Sequence, residues 1–165
     1  MKYMYIYIFI LLSPCLTFAK VFPHTFDVST NIDTSFFYDE TLVITGVDGL
    51  LPINDGELFI NKDGTFISDS LILEAHKSID DIIDVDKYDG ETLWTVTNVK
   101  TFIDSEVKNL DLIIKVDGEI LQVKEKHKDE DSRISLQVEN KEKIDKLKAG
   151  QKITSILTIL LEANM

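Results

Sequence analysis

From residue 42 to residue 161 the chain is written in short runs of Ile, Val, Leu, Thr and Phe separated by polar breaks. Runs of that length, rich in β-branched residues and bounded by turn formers, suit strands better than helices. They fall at residues 42–47, 57–61, 66–75, 93–103, 112–116, 119–123, 134–138 and 153–161, and only residues 140–148 carry a helical pattern. Five of the seven glycines follow an aspartate, at Asp48-Gly49, Asp55-Gly56, Asp63-Gly64, Asp89-Gly90 and Asp117-Gly118. That dipeptide favours turns with positive φ. Across Asp117-Gly118 a two-residue turn sets Ile114 opposite Leu121 and Leu112 opposite Val123 on one face, a hairpin with a core side. Eight or nine strands at this spacing predict an all-β sandwich.

A further alternation precedes these runs. Phe22, His24, Phe26, Val28, Thr30 and Ile32 fall on one side of an extended segment, and Val21, Pro23, Thr25, Asp27, Ser29 and Asn31 on the other. The first side is mostly apolar, as a strand with one buried face requires. Alternation alone fits a first strand of the domain's own sheet as well as a strand offered to another molecule.

The leading residues change the compartment. Lys2, an apolar run over residues 3–12, the break at Ser13-Pro14 and the small residues Thr17 and Ala19 read as a secretory signal over residues 1–19, with the mature chain starting at Lys20. The apolar run is shorter than the roughly 20 residues that cross a bilayer. Cys15, the only cysteine, leaves with that segment, so disulfides are not expected to stabilise the exported chain. The formal charge is −12, and loss of Lys2 makes it more negative. Such a chain repels phosphate backbones, so no nucleic-acid partner is expected. With no internal repeat and no Pro- or Gly-rich linker, one domain is the simplest organisation.

Catalytic chemistry is thinly represented. His24, His76 and His127 stand far apart, at no metal-binding spacing, and read as surface or strand-edge residues. Asp80, Asp81, Asp84, Asp86 and Asp89 do not form a calcium loop: counting from Asp84, Tyr88 stands fifth, Asp89 holds the glycine position and Thr95 the position of the bidentate glutamate. They read as an acidic strand end running into a turn. Residues 124–133, with both charge signs interleaved, read as a solvated hairpin tip. No catalytic, cofactor-binding or metal-binding residue is expected.

In order along the chain, several landmarks resemble one family. Residues 26–33, Phe-Asp-Val-Ser-Thr-Asn-Ile-Asp, are similar to the N-terminal strand of the major subunits of alpha fimbriae, the colonisation-factor pili of Gram-negative enteric bacteria. Asp48-Gly49-Leu50-Leu51-Pro52 resembles that family's Asp-Gly-x-x-Leu-Pro turn. Lys148-Ala149-Gly150, followed by Ile153-Thr154-Ser155-Ile156-Leu157-Thr158-Ile159, resembles its Ala-Gly loop and closing strand. Thr34 stands where the family's strand continues to proline, and Lys152 where its loop continues to tyrosine.

The resemblance implies an immunoglobulin-like β-sandwich, residues 34–165, that lacks one strand and is completed by a donor-strand extension, residues 20–33, of a neighbouring subunit. It implies a non-enzymatic major pilin of an adhesive surface fimbria, carried through the periplasm by a chaperone and an outer-membrane usher. Its partners would be identical subunits in a head-to-tail fibre, a tip adhesin and host-cell glycans. The expected donor residues are Phe22, His24, Phe26, Val28, Thr30 and Ile32, and the expected acceptor-groove residues are Ile153, Leu157, Ile159 and Leu161. The competing reading is a stand-alone secreted or periplasmic β-sandwich that binds a ligand and keeps residues 22–32 in its own sheet.

Overall fold

A computed structural model describes residues 25–32, 41–53, 55–80, 82–145, 147–148 and 150–164. The strands are β1 (Thr25–Ile32), β2 (Thr41–Thr45), β3 (Gly56–Ile60), β4 (Phe66–Ser68), β5 (Leu71–Ile79), β6 (Ile82–Lys87), β7 (Thr92–Ile103), β8 (Glu106–Lys108), β9 (Leu112–Val116), β10 (Glu119–Leu121), β11 (Lys126–Asp129), β12 (Arg133–Asn140) and β13 (Ile153–Ala163). The chain is all-β, with a single 3₁₀ turn over Val47–Gly49 among the described residues.

Two antiparallel sheets share one core, an arrangement consistent with a β-sandwich. One sheet runs β1-β13-β7-β11, with β8 beside the far end of β7. The other runs β10-β9-β12; the next edge of β12 is shared by β5 and β4, and beyond these lie β2, β6 and β3. The two sheets meet where β1 reaches β3, at Thr25↔Glu57 and Phe26↔Gly56. Alternation selects the inward residues: Ile134, Leu136 and Val138 from β12 and Leu157, Ile159 and Leu161 from β13 are all buried. Trp94 is buried with them, and its indole N–H donates to Thr92 Oγ1 at 2.9 Å, so the largest core side chain carries no unmet donor.

The expected hairpin forms around Asp117 and Gly118, both with positive φ, and Ile114 pairs with Leu121. The Leu112–Val123 pair does not form. The ladder ends at Leu121, and Lys124 N–H instead donates to Val96 O on β7, which carries the chain across to the other sheet and leaves Val123 exposed.

Three other expectations are corrected. The run over residues 66–75 is two strands broken at Asp69 and Ser70, where Asp69 N–H bonds Glu57 O and Asp69 Oδ1 accepts from Glu57 N–H. Residues 140–148 form no helix among the described residues. Asn140 ends β12, and its side chain both donates to Glu142 O and accepts from Glu142 N–H, a local turn that competes with helical bonding. Residues 124–133 are not only a solvated tip, because β11 lies within them and adds an edge strand to β7. Its lysines are neutralised by residues remote in sequence, Lys126 by Glu162 at 2.8 Å and Lys128 by Glu91. A charged, four-residue strand is a common way to end a sheet without inviting a further strand.

Candidate assembly site

The expected groove residues lie together on β13. Its inward row is Ile153, Ser155, Leu157, Ile159 and Leu161, each at 0% exposure. One edge of this strand is held by β7 from Ile103 to Thr92. The ladder shifts between Thr158 and Ile159, where β7 carries the additional residue Thr97, whose hydroxyl donates to Thr158 O at 3.1 Å. The one polar inward position, Ser155, is satisfied by Thr101 on β7, with the two hydroxyls 3.1 Å apart and both buried.

The other edge of β13 is held by β1, and this is the only parallel pairing among the described strands. Phe26 stands level with Ser155, Val28 with Leu157, Thr30 with Ile159 and Ile32 with Leu161. Residues level in a ladder share a face. The register therefore sets these four residues level with the buried row of β13. Phe22 and His24, the first two expected donor residues, lie outside the described residues.

β13 is the last strand of the chain, yet it sits inside its sheet. Its second edge is completed by the first described strand, and β3 walls the far side of that strand at Phe26↔Gly56. Remove β1, and an eight-residue edge bordering a fully buried apolar row loses its partner.

No family model, curated protein or solved structure matches this chain.

A second, polar cluster lies on β5 and had no place in the reading of the sequence. His76 is fully buried rather than on the surface or at a strand edge. Its Nδ1 lies 2.9 Å from Asp84 O and its Nε2 3.3 Å from Glu74 Oε2. Glu74 Oε2 also accepts the Asp48 backbone N–H at 2.8 Å, and Arg133 Nη1 stands 3.6 Å from Glu74 Oε1. The cluster ties β5, β6, β12 and the 3₁₀ turn together. Gly49 in that turn has φ +72, and a Cβ there would meet His76 Cε1 at 3.6 Å, so a side chain at this site is strained by its backbone rather than by crowding.

The cluster satisfies its own polar groups, and Asp84 also lines a small open groove beside Lys77, Asp86, Lys87, Tyr88 and Asp89. No group of three or more His, Cys, Asp or Glu able to hold a metal occurs among the described residues. His127, by contrast, is where the sequence suggested, on the edge strand β11, with its Nε2 3.0 Å from Asp117 Oδ2. Ser155 was not among the expected groove residues; its place at an odd position between Ile153 and Leu157 is the signal that could have found it. Nothing local distinguishes Glu74 or His76 from an exposed pair, because their partners come from residues 48, 84 and 133.

Proposed function

We propose that this chain is the major structural subunit of an adhesive surface fimbria, exported through the periplasm and polymerised through its N-terminal strand. The supporting observation is the closure of β13 by β1, with Val28, Thr30 and Ile32 level with the buried row Leu157, Ile159 and Leu161. In this reading the body is an immunoglobulin-like sandwich lacking its closing strand, and β1 is the donor that completes a neighbour. A ladder made by the chain's own strand can equally be made by the same strand of another copy, as in domain swapping.

The energetics favour such an exchange partner over an open groove. Burial of Phe22, Phe26, Val28 and Ile32 at roughly 1.5–3 kcal/mol each amounts to on the order of 6–12 kcal/mol before ordering costs. An unfilled edge of this kind invites aggregation, which is why a periplasmic chaperone and an outer-membrane usher belong to the proposal. Head-to-tail repetition of one heterologous contact makes an open fibre. The role is structural rather than catalytic, with a tip adhesin and host-cell glycans as further partners.

The test is electron microscopy of cells expressing the chain with its native neighbouring genes, beside a variant lacking residues 20–32. Thin surface fibres lost with that deletion support the proposal. A discrete monomer and no fibres, with the export partners present, would overturn it.

One observation favours a second reading. β1 completes the sheet of its own chain, as a stand-alone ligand-binding β-sandwich requires. That protein would stay monomeric at every concentration, and aspartate at Val28 would destabilise it without changing its size.

A further inference from the structure

The contacts of Glu74 and His76 leave one proton to be placed. The His76 ring is fully buried on β5, and both of its nitrogens face oxygen. A carbonyl oxygen only accepts, so the 2.9 Å contact with Asp84 O puts a proton on Nδ1. A neutral imidazole then keeps a bare lone pair at Nε2. That nitrogen lies 3.3 Å from Glu74 Oε2, which already accepts the Asp48 N–H at 2.8 Å. A lone pair against an ionised carboxylate is repulsive, and burial of both side chains denies them the water that would relieve it. The contact turns attractive when one more proton lies between the two atoms.

Each element around the pair has a defined part in this arrangement. On β2 the residue opposite His76 is Val43, which carries no charge. On β6 it is Lys87, whose Nζ donates instead to Asp131 O at 3.0 Å. Asp84 meets the ring through its carbonyl, while its carboxylate Oδ1 accepts the Asp86 N–H at 3.2 Å. From β12, Arg133 Nη1 stands 3.6 Å from Oε1, the carboxylate oxygen that His76 does not contact. The 3₁₀ turn supplies the Asp48 N–H and lays Gly49 over the ring, where a Cβ would lie 3.7 Å from Nδ1; the Asp48 side chain itself is exposed.

We propose that Glu74 and His76 hold one shared proton in the folded chain, and that this proton latches β6 and the 3₁₀ turn onto β5. Giving it up as pH rises sets the Nε2 lone pair against the carboxylate. The contacts then at risk are the two that reach out from the pair, His76 Nδ1 to Asp84 O and the Asp48 N–H to Glu74. Histidine outside a fold is largely neutral above about pH 6.5. Above that value the folded chain holds a proton that the unfolded chain has released, so stability falls as pH rises. Below it both states hold the proton, and the contribution is complete. The latch is built from β5, β6, β12 and the turn, so it operates whether or not β1 is donated to a neighbour.

The test uses the full exported chain, isotope-labelled in its histidine rings and carboxyl carbons, and read by NMR at about pH 7.5, where ordinary histidine is mostly neutral. The His76 signals are those that persist when His24→Gln and His127→Gln are both present. They should show both ring nitrogens protonated or, with Nε2 bare, a protonated Glu74 carboxyl. A bare Nε2 facing an ionised Glu74 would overturn the proposal. In the same background the folding constant from urea denaturation should fall by up to roughly tenfold per pH unit between about pH 6.5 and pH 9. Glu74→Gln removes the charge that retains the proton and should flatten that fall, whatever its stability at the starting pH. Parallel profiles for the two proteins would sink the latch. If Glu74→Gln does not fold, amide exchange of the unaltered chain decides: protection at Asp48 should drop with rising pH ahead of protection at Val138, and equal losses at both would count against it.

Discussion

Val28 of the first described strand stands level with Leu157 of the last, in a parallel ladder that runs from Thr25↔Thr154 to Ile32↔Leu161. Parallel partners need a long connection between them. Here the connection is nearly the whole chain, so this ladder is the contact of longest sequence separation in the fold, and its closure cost does not depend on local structure. In the proposed fibre, β1 is the strand exchanged between copies.

Leu157 is fully buried between the two edges of β13. Truncation to alanine removes packed methyl groups from a site held by strands on both sides, so collapse is limited. Leu157→Ala is expected to lower unfolding stability by about 2–5 kcal/mol, measured by urea denaturation. A loss well under 1 kcal/mol would mean that this row is not the core.

The buried hydroxyl pair Thr101–Ser155 predicts non-additivity. Thr101→Val leaves the Ser155 hydroxyl without its partner and should cost about 1 kcal/mol or more, whereas Thr101→Val with Ser155→Ala should recover part of that loss. A double-mutant cycle by chemical denaturation measures it. Strictly additive losses would show that the hydroxyls do not interact.

Glu74 joins the 3₁₀ turn to His76 and Arg133. Glu74→Ala removes the acceptor of the Asp48 amide and should reduce stability by about 1.5–3 kcal/mol. Amide exchange at Asp48 should accelerate more than at Val138, on the central strand β12. Equal effects at both amides would point to global loosening instead.

Asp104 fixes the start of β13 to the end of β7. The Lys152 backbone N–H, and then Gln151, hold its carboxyl below the ordinary aspartate value of 3.8. For a depressed group the stabilising contribution is complete above the ordinary value and is lost as pH falls through the lower folded-state value. Stability of the native chain should therefore decline in that acid window more steeply than that of Asp104→Asn, followed as urea midpoints against pH. Parallel profiles would remove Asp104 from the account.

Glu139 acts in the same sense on β12, where Lys115 at 2.8 Å lowers its carboxyl below the usual range. Lys115→Met should return Glu139 toward the ordinary glutamate range, read by carboxyl-carbon NMR titration. An unchanged titration midpoint would show that Lys115 is not its dominant partner.

By itself the sequence determined which side of several strands is buried and where several turns fall. Alternation along residues 134–138 and 153–161 is a local property, and Asp117-Gly118 supplies its own positive φ. Tertiary structure decided which strands are neighbours. Lys126–Asp129 is strand because it pairs with the free edge of β7, with Glu91 and Glu162 meeting its lysines, His76 is buried because Glu74 and the carbonyl of Asp84 receive it, and the described residues after β12 miss the helix where Asn140 turns back on Glu142. β1 found β13 for the same reason: periodicity records which face a residue presents to the core, while the partner along a strand edge is selected by backbone groups that every residue carries alike.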